Sequence, residues 1–244
     1  MKTFSLALAL FGMLLATSVA AQSSSGFYIT AGGSLQAMLG KDLQRNEVDG
    51  FVTTTNIDLG KNSIQGQLAL GYLHKLSDNF SIGAEIGKQL GQGPALNNVL
   101  NSSSILTGDS ISVARQWKMH SGWSLALKPS MNLGNDSLVF IKLAKHWASG
   151  TFYDRSGKNC ADTVNANGCE SPFSDSISAN TNGTGIGAGL QTRLTEKLFL
   201  MIEVEHIDYS AITHKFGDAA LDFLQTDTLK PKAITGTVSL GYWF

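Results

Sequence analysis

The residues able to do chemistry are few: five histidines, two cysteines and a thin scatter of charge in a chain of 244. His120 is followed directly by Ser121, His146 comes three residues before Ser149, and His206 comes two before Asp208. A histidine bonded to a hydroxyl and steered by a carboxylate would be the equipment of nucleophilic acyl transfer. None of these spacings assembles it. Neighbours on an extended strand, such as His120 and Ser121, face opposite sides, and His146 meets Ser149 only where a strand breaks. His206 and Asp208 share a side, but no serine is delivered to them. There is no His-Glu-x-x-His pair and no Gly-rich phosphate loop. The histidines therefore read as polar residues of a rim or an interior. No catalytic residue, cofactor or metal ligand is assigned, and the chain is not read as an enzyme.

The elements that carry these residues are all of one kind. In "FYITAGGSL", Phe27, Ile29 and Leu35 share one face, while Tyr28, Thr30 and Ser34 share the other. "IQGQLALGYL", "FSIGAEIG", "WKMHSGWSLAL", "LVFIKLAKHW", "GIGAGLQTRL" and "LFLMIEVE" repeat the alternation, as does the terminal "AITGTVSLGYWF". Period two is the signature of a strand with two unlike faces. In the fourth segment the parity puts Trp117, Met119, Trp123, Leu125 and Leu127 on the apolar face, opposite Lys118, His120, Gly122, Ser124 and Ala126. Short connections, "LSDN", "PSMNLGND" and "TEK", alternate with long ones near 37–63, 90–115, 149–183 and 210–231 that are rich in Asn, Ser, Gly, Asp and Thr.

Composition says what the apolar faces meet. Charged residues make up only 15%, against roughly 25% in soluble domains. The formal net charge of -1 gives no support for a nucleic-acid partner. Residues 1–21 have the order of a secretory signal peptide: Lys2, then "FSLALALFGMLLA", then "TSVAA" with small residues at the cleavage site. After it, no stretch approaches the ~20 apolar residues of a spanning helix, so a membrane domain must be built of strands. Three glutamates, two lysines and most glycines of these segments lie on the face opposite the bulky aliphatics. That polarity suits a crowded lumen inside and lipid outside, the reverse of a soluble barrel.

Residues 22–244 are thus expected to form an all-β, eight-stranded antiparallel up-and-down transmembrane β-barrel, with long extracellular loops and short periplasmic turns. Tyr72, Phe80, Trp117, Trp147, Tyr242 and Phe244 are expected in the interfacial aromatic girdles. The ending "VSLGYWF" resembles the carboxy-terminal assembly signal of Gram-negative outer-membrane proteins. "GFYITAGGS", "LGYLHKLSDNFSIGAEIG", "SLALKPSMNLGNDSLVFIKLA" and "LFLMIEVEHIDYS" resemble the small OmpA/opacity-type surface barrels. The resemblance implies an assembly role for Val238, Leu240, Tyr242 and Phe244. It also implies a Gram-negative outer-membrane location with loops at the cell surface.

Within such a barrel, Glu85, Lys142 and Glu203 stand at similar counts above their short turns and share the inward parity. Lys142 is expected to bridge Glu85 and Glu203, with Glu205 one step higher and Arg193 nearer the periplasmic rim, so that polar side chains plug the lumen. Cys160 and Cys169, in "CADTVNANGC", are expected to form a disulfide in an exported loop. The leading function is a surface structural or interaction protein acting through its loops. A narrow ion or small-solute channel is the alternative, and a lipid-modifying enzyme ranks third. Expected partners are outer-membrane lipid and lipopolysaccharide, the assembly machinery, and host or envelope proteins reached by the loops.

Overall fold

The computed structural model describes residues 25–48, 51–91, 93, 95–103, 110–134, 136–158, 170–218 and 223–244. The signal peptide expected at 1–21 and both Cys160 and Cys169 lie outside them. Ten strands follow in order: β1 (Gly26–Val48), β2 (Phe51–Lys75), β3 (Phe80–Leu90), β4 (Ala95–Ser103), β5 (Ser110–Leu133), β6 (Ser137–Lys158), β7 (Glu170–Arg193), β8 (Leu198–Tyr209), β9 (Ile212–Asp218) and β10 (Phe223–Trp243). They make eight antiparallel staves in the order β1-β2-β3-β5-β6-β7-β8-β10. β4 continues the β3 stave by pairing with β5, and β9 continues the β8 stave by pairing with β10.

β1 pairs with β10 from Tyr28↔Trp243 onward, which closes the sheet on itself. Closure gives every stave two hydrogen-bonded neighbours, the condition for strands to cross hydrocarbon. The outward faces meet that condition with large exposed apolar side chains, among them Leu35 at 64% and Ile64 at 77%. A soluble monomer does not leave such a continuous surface in water. Phe27 and Tyr72 contact at 4.8 Å near the short-turn end, and Tyr242 and Phe244 at 5.6 Å. Trp123 and Trp147 mark the other edge of the apolar band.

Three features depart from the sequence reading. First, the long connections are ladder for much of their length. β1 and β2 remain paired from Gly26↔Leu73 to Val48↔Phe51, and β6 and β7 reach Lys158↔Glu170. Turn-forming composition loses to context here, because a strand held by an ordered partner extends the ladder at little further entropic cost. Second, the β5–β6 register shifts between Met119 and Ser121. The bulge adds one residue and reverses the parity beyond it. Trp117 and Met119 therefore point inward, each 1% exposed, rather than to lipid or a girdle, and Lys118 leaves the lumenal face. Third, β5 runs through Pro129 to Leu133, and the turn at Gly134 has φ 71°, which favours glycine. The β5–β6 ladder is paired at Leu127↔Leu143 and resumes at Ser130↔Phe140, skipping the two steps around Pro129. Proline has no N–H to contribute there.

Candidate functional site

The lumen is where the chain's polar chemistry converges. Tyr28 OH on β1 donates to Glu85 Oε2 on β3 at 3.0 Å, and Lys128 Nζ on β5 donates to the same oxygen at 2.7 Å. Lys128 then pairs with Glu203 Oε2 on β8 at 3.3 Å. Lys142 Nζ on β6 reaches Glu203 Oε1 at 2.6 Å and Glu205 Oε2 at 2.9 Å. His146 Nε2 lies 2.7 Å from Glu205 Oε1. Seven side chains from five strands thus form one continuous chain of contacts. β5 and β8 are separated by two intervening staves, so the chain braces opposite walls rather than neighbours.

The brace differs from the one expected. Glu85 is bound by Lys128, and Lys142 sits one step along, between Glu203 and Glu205. Lys128 escapes the sequence reading, in which a turn begins at Pro129. Once β5 is continued, Lys128 shares the inward parity of Ser124 and Ala126. Arg193 lies at the short-turn end, its amide donating to the Asp136 carbonyl at 2.8 Å. Lys128 is further enclosed by the Phe140 ring, 4.9 Å from its ammonium.

Every member of this chain is nearly excluded from solvent: Glu85 at 3%, Lys142 and Glu203 at 2%, Lys128 and Glu205 at 4%. Buried ions are tolerated only when paired and hydrogen-bonded, and here each carboxylate has at least one cation or donor within reach. Gly185 makes room for the upper end of the chain, since a Cβ there would collide with the Glu205 carboxylate and lie 2.8 Å from His146 Nε2.

Apolar clusters flank the ions on both sides. Towards the short turns, Tyr28, Leu73, Leu138, Phe140, Phe199 and Met201 form a cluster on which Trp243 packs. Towards the long hairpins, a second cluster includes Met38, Trp117, Met119, Phe152, Ile207 and Tyr209. Gln65 Nε2 donates to Gln36 Oε1 at 2.8 Å in the polar part of the wall. The lumen, expected to be plugged by polar side chains, is therefore layered, and the bulge adds Trp117 to its aromatic residues. Side-chain filling is what an eight-stranded diameter permits.

Among the described contacts, three histidines have polar partners. His146 meets Glu205, His120 meets Thr151 Oγ1 at 2.7 Å, and His206 meets Asp208 Oδ2 at 3.2 Å. None of these contacts brings a serine to a histidine. Among the described residues no group of three or more His, Cys, Asp or Glu is arranged to hold a metal. At the short-turn end, Lys75 hydrogen-bonds the exposed Asp78 at 2.9 Å and holds its carboxyl below the usual range.

The chain resembles several solved structures and one protein family. Among solved structures, the chain resembles Ail, the attachment invasion locus protein of Yersinia pestis, at 14% identity over 87% of this chain and 99% of that one, with a TM-score of 0.39. It resembles OprG of Pseudomonas aeruginosa at 14% identity over 90% and 96%, with a TM-score of 0.42. It also resembles the protease OmpT of Escherichia coli at 11% identity over 93% and 99%, with a TM-score of 0.37. No curated protein matches the chain in sequence. The model of the outer membrane protein beta-barrel domain matches residues 6–244. A closed barrel with an apolar exterior and a match of that extent make this chain a member of the outer membrane protein beta-barrel domain family, at home in the outer membrane of Gram-negative bacteria.

Proposed function

We propose that the protein is a surface interaction protein, in which an occluded barrel is the rigid anchor for long hairpins facing the cell exterior. The observation that carries this reading is the ion chain from Tyr28 to His146, buried between two apolar clusters. Water and ions would have to break paired charges and displace aromatic rings to pass. The extended ladders supply stiff projections, the arrangement in which a scaffold presents binding segments. Lipopolysaccharide, the assembly machinery and host or envelope proteins are the partners that such a placement brings within reach.

Planar-bilayer recording tests the anchor against the channel. Wild-type protein is expected to insert without steady conductance, whereas Lys128→Ala should admit ions by leaving Glu85 and Glu203 without their shared cation. Stable conductance of the wild type would overturn the anchor reading and favour a narrow channel. Orientation is tested separately by placing an epitope in segment 104–109 and probing intact cells with antibody. Labelling only after the cells are lysed would place the long hairpins in the periplasm. A catalytic reading has weaker support, because the described contacts of His146 and His206 are to carboxylates and that of His120 is to the Thr151 hydroxyl, with no carboxylate steering that pair in the contacts above.

A further inference from the structure

At the upper edge of the apolar band, one lateral row runs across four adjacent staves. Lys88 on β3 is opposite Trp123 on β5, Trp123 is opposite Trp147 on β6, and Trp147 is opposite Asn182 on β7. All four lie on the outer face, and the indoles are 50% and 46% exposed. Below the row come Ile86 on β3 and Leu125 on β5, and on β6 and β7 the pair Lys145↔Thr184 followed by Leu143 and Ile186. Above it comes a polar row, Ser121↔Ser149 and Ser149↔Asn180. On β5 Trp123 alone separates Leu125 from Ser121, on β6 Lys145 and Trp147 separate Leu143 from Ser149, on β7 Thr184 and Asn182 separate Ile186 from Asn180, and on β3 the exposed Leu90 follows Lys88. Counting from Phe80, Met131, Val139 and Leu190 at the other end, the row lies eight residues away on each stave. At ~3.3 Å per residue this is ~26 Å along the strand, in keeping with an apolar band ~25 Å tall.

The row contains a recess of about 440 Å³ lined by Ser121, Trp123, Trp147, Ser149, Asn180 and Asn182, together with Ala148 and Thr181. Two lysines border it. Lys88 Nζ stands 4.4 Å from the centroid of the Trp123 ring, and Lys145 Nζ donates to Asn182 Oδ1 at 2.8 Å. Each ammonium retains donors beyond its present contact. The lining contains no carboxylate. Asp208, on the next stave beyond Asn182, is engaged by Lys232 at 2.8 Å and by His206 at 3.2 Å.

We propose that this recess binds the phosphorylated sugar headgroup of an outer-leaflet glycolipid, with its acyl chains running down the aliphatic face below. Indole faces offer flat apolar surfaces to the C–H faces of a sugar ring, while the adjoining hydroxyls and carboxamides match sugar hydroxyls. The two ammonium groups supply charge-assisted bonds to phosphate. A glycerophospholipid would use the lysines but has no ring to lie on the indoles, and a neutral glycolipid would use the indoles but leave the cations unmatched. The site's place in the outer leaflet rests on the proposed orientation, with long hairpins outward. Lipid retention by purified protein does not depend on that orientation.

The experiment is native mass spectrometry of the folded barrel in detergent, with bis-phosphorylated lipid A, the same lipid with both phosphates removed, and phosphatidylglycerol. Bis-phosphorylated lipid A is expected to remain bound. Retention should fall roughly tenfold or more in the double variant K88Q/K145Q, the loss appropriate to one or two charge-assisted bonds. Trp147→Leu should lose the lipid, Trp147→Phe should keep it, and the dephosphorylated lipid should bind the wild type weakly. Heat-modifiable migration of each variant shows that the barrel is intact. Equal retention by wild type, K88Q/K145Q and Trp147→Leu would overturn the proposal. So would phosphatidylglycerol binding as tightly as lipid A with the same dependence on Trp147, which would leave only a general anionic-lipid belt.

Discussion

Lys128 holds a position that no other side chain can fill, because its ammonium is shared by two buried carboxylates on opposite walls, at 2.7 Å from Glu85 and 3.3 Å from Glu203. Removing only this cation leaves the buried Glu85 without its ammonium partner, while Glu203 keeps Lys142. Lys128→Met is therefore expected to cost about 3 to 5 kcal/mol in denaturant unfolding. Combining it with Glu85→Gln should recover part of that loss, and an unfolding midpoint unchanged in the single variant would remove Lys128 from the brace. Gly185 offers an independent check with its own control. Gly185→Ala places a methyl against Glu205 and His146 and should cost about 1 to 3 kcal/mol, whereas Gly33→Ala, with open space around its Cβ, should stay within about 0.5 kcal/mol. Equal costs at the two glycines would contradict the packing described. The inward parity of Glu85, Lys142, Glu203 and Glu205 was legible in the sequence, since alternation alone fixes a side. Which cation meets which carboxylate was not, because the staves shift against one another around a barrel and a count from the turns ignores that shift.

At the level of strands, local irregularity decides what alternation cannot. The bulge at Met119 and Ser121 sends Trp117 into the lumen, and nothing in "WKMHSGW" announces an extra residue in the ladder. The ends of β5 and β6 were obscured for a related reason. Pro129 has the look of a turn residue, yet the strand continues through it at the expense of two ladder steps. Pro129→Val should restore pairing between β5 and β6 and raise the unfolding free energy by about 1 kcal/mol, the net value of one backbone hydrogen bond. A fall in stability would mean that the proline's fixed backbone angle contributes more than the missing bond. The eight staves were recoverable because each repeats a strong two-residue period. The long ladders of the hairpins were not, since their Asn, Ser, Gly and Thr content favours turns until a paired neighbour is supplied.

On the scale of the whole barrel, the chain of ions in the lumen ties its walls together. The pairing that makes the barrel possible brings the first and last described staves side by side. Trp243 N donates to the Lys197 carbonyl at 2.8 Å, and Phe244 N donates to the Phe27 carbonyl at 3.1 Å. Removing Tyr242, Trp243 and Phe244 would open this seam next to the lipid. The truncated protein is expected to fail to accumulate as heat-modifiable protein in the outer membrane. Normal accumulation would show that the terminal residues are dispensable both to closure and to assembly.

Those two roles can be separated, because a circle of staves has no first member. Joining Phe244 to Ser25 through a short linker, and opening the backbone in the turn between Leu194 and Lys197, would preserve every ladder while making "VSLGYWF" internal. Such a rearranged chain should refold in detergent to the same barrel, since the pairings are unchanged. In cells it should be left unassembled if Val238, Leu240, Tyr242 and Phe244 are read as a free end, and should reach the membrane if they serve only to complete the ring.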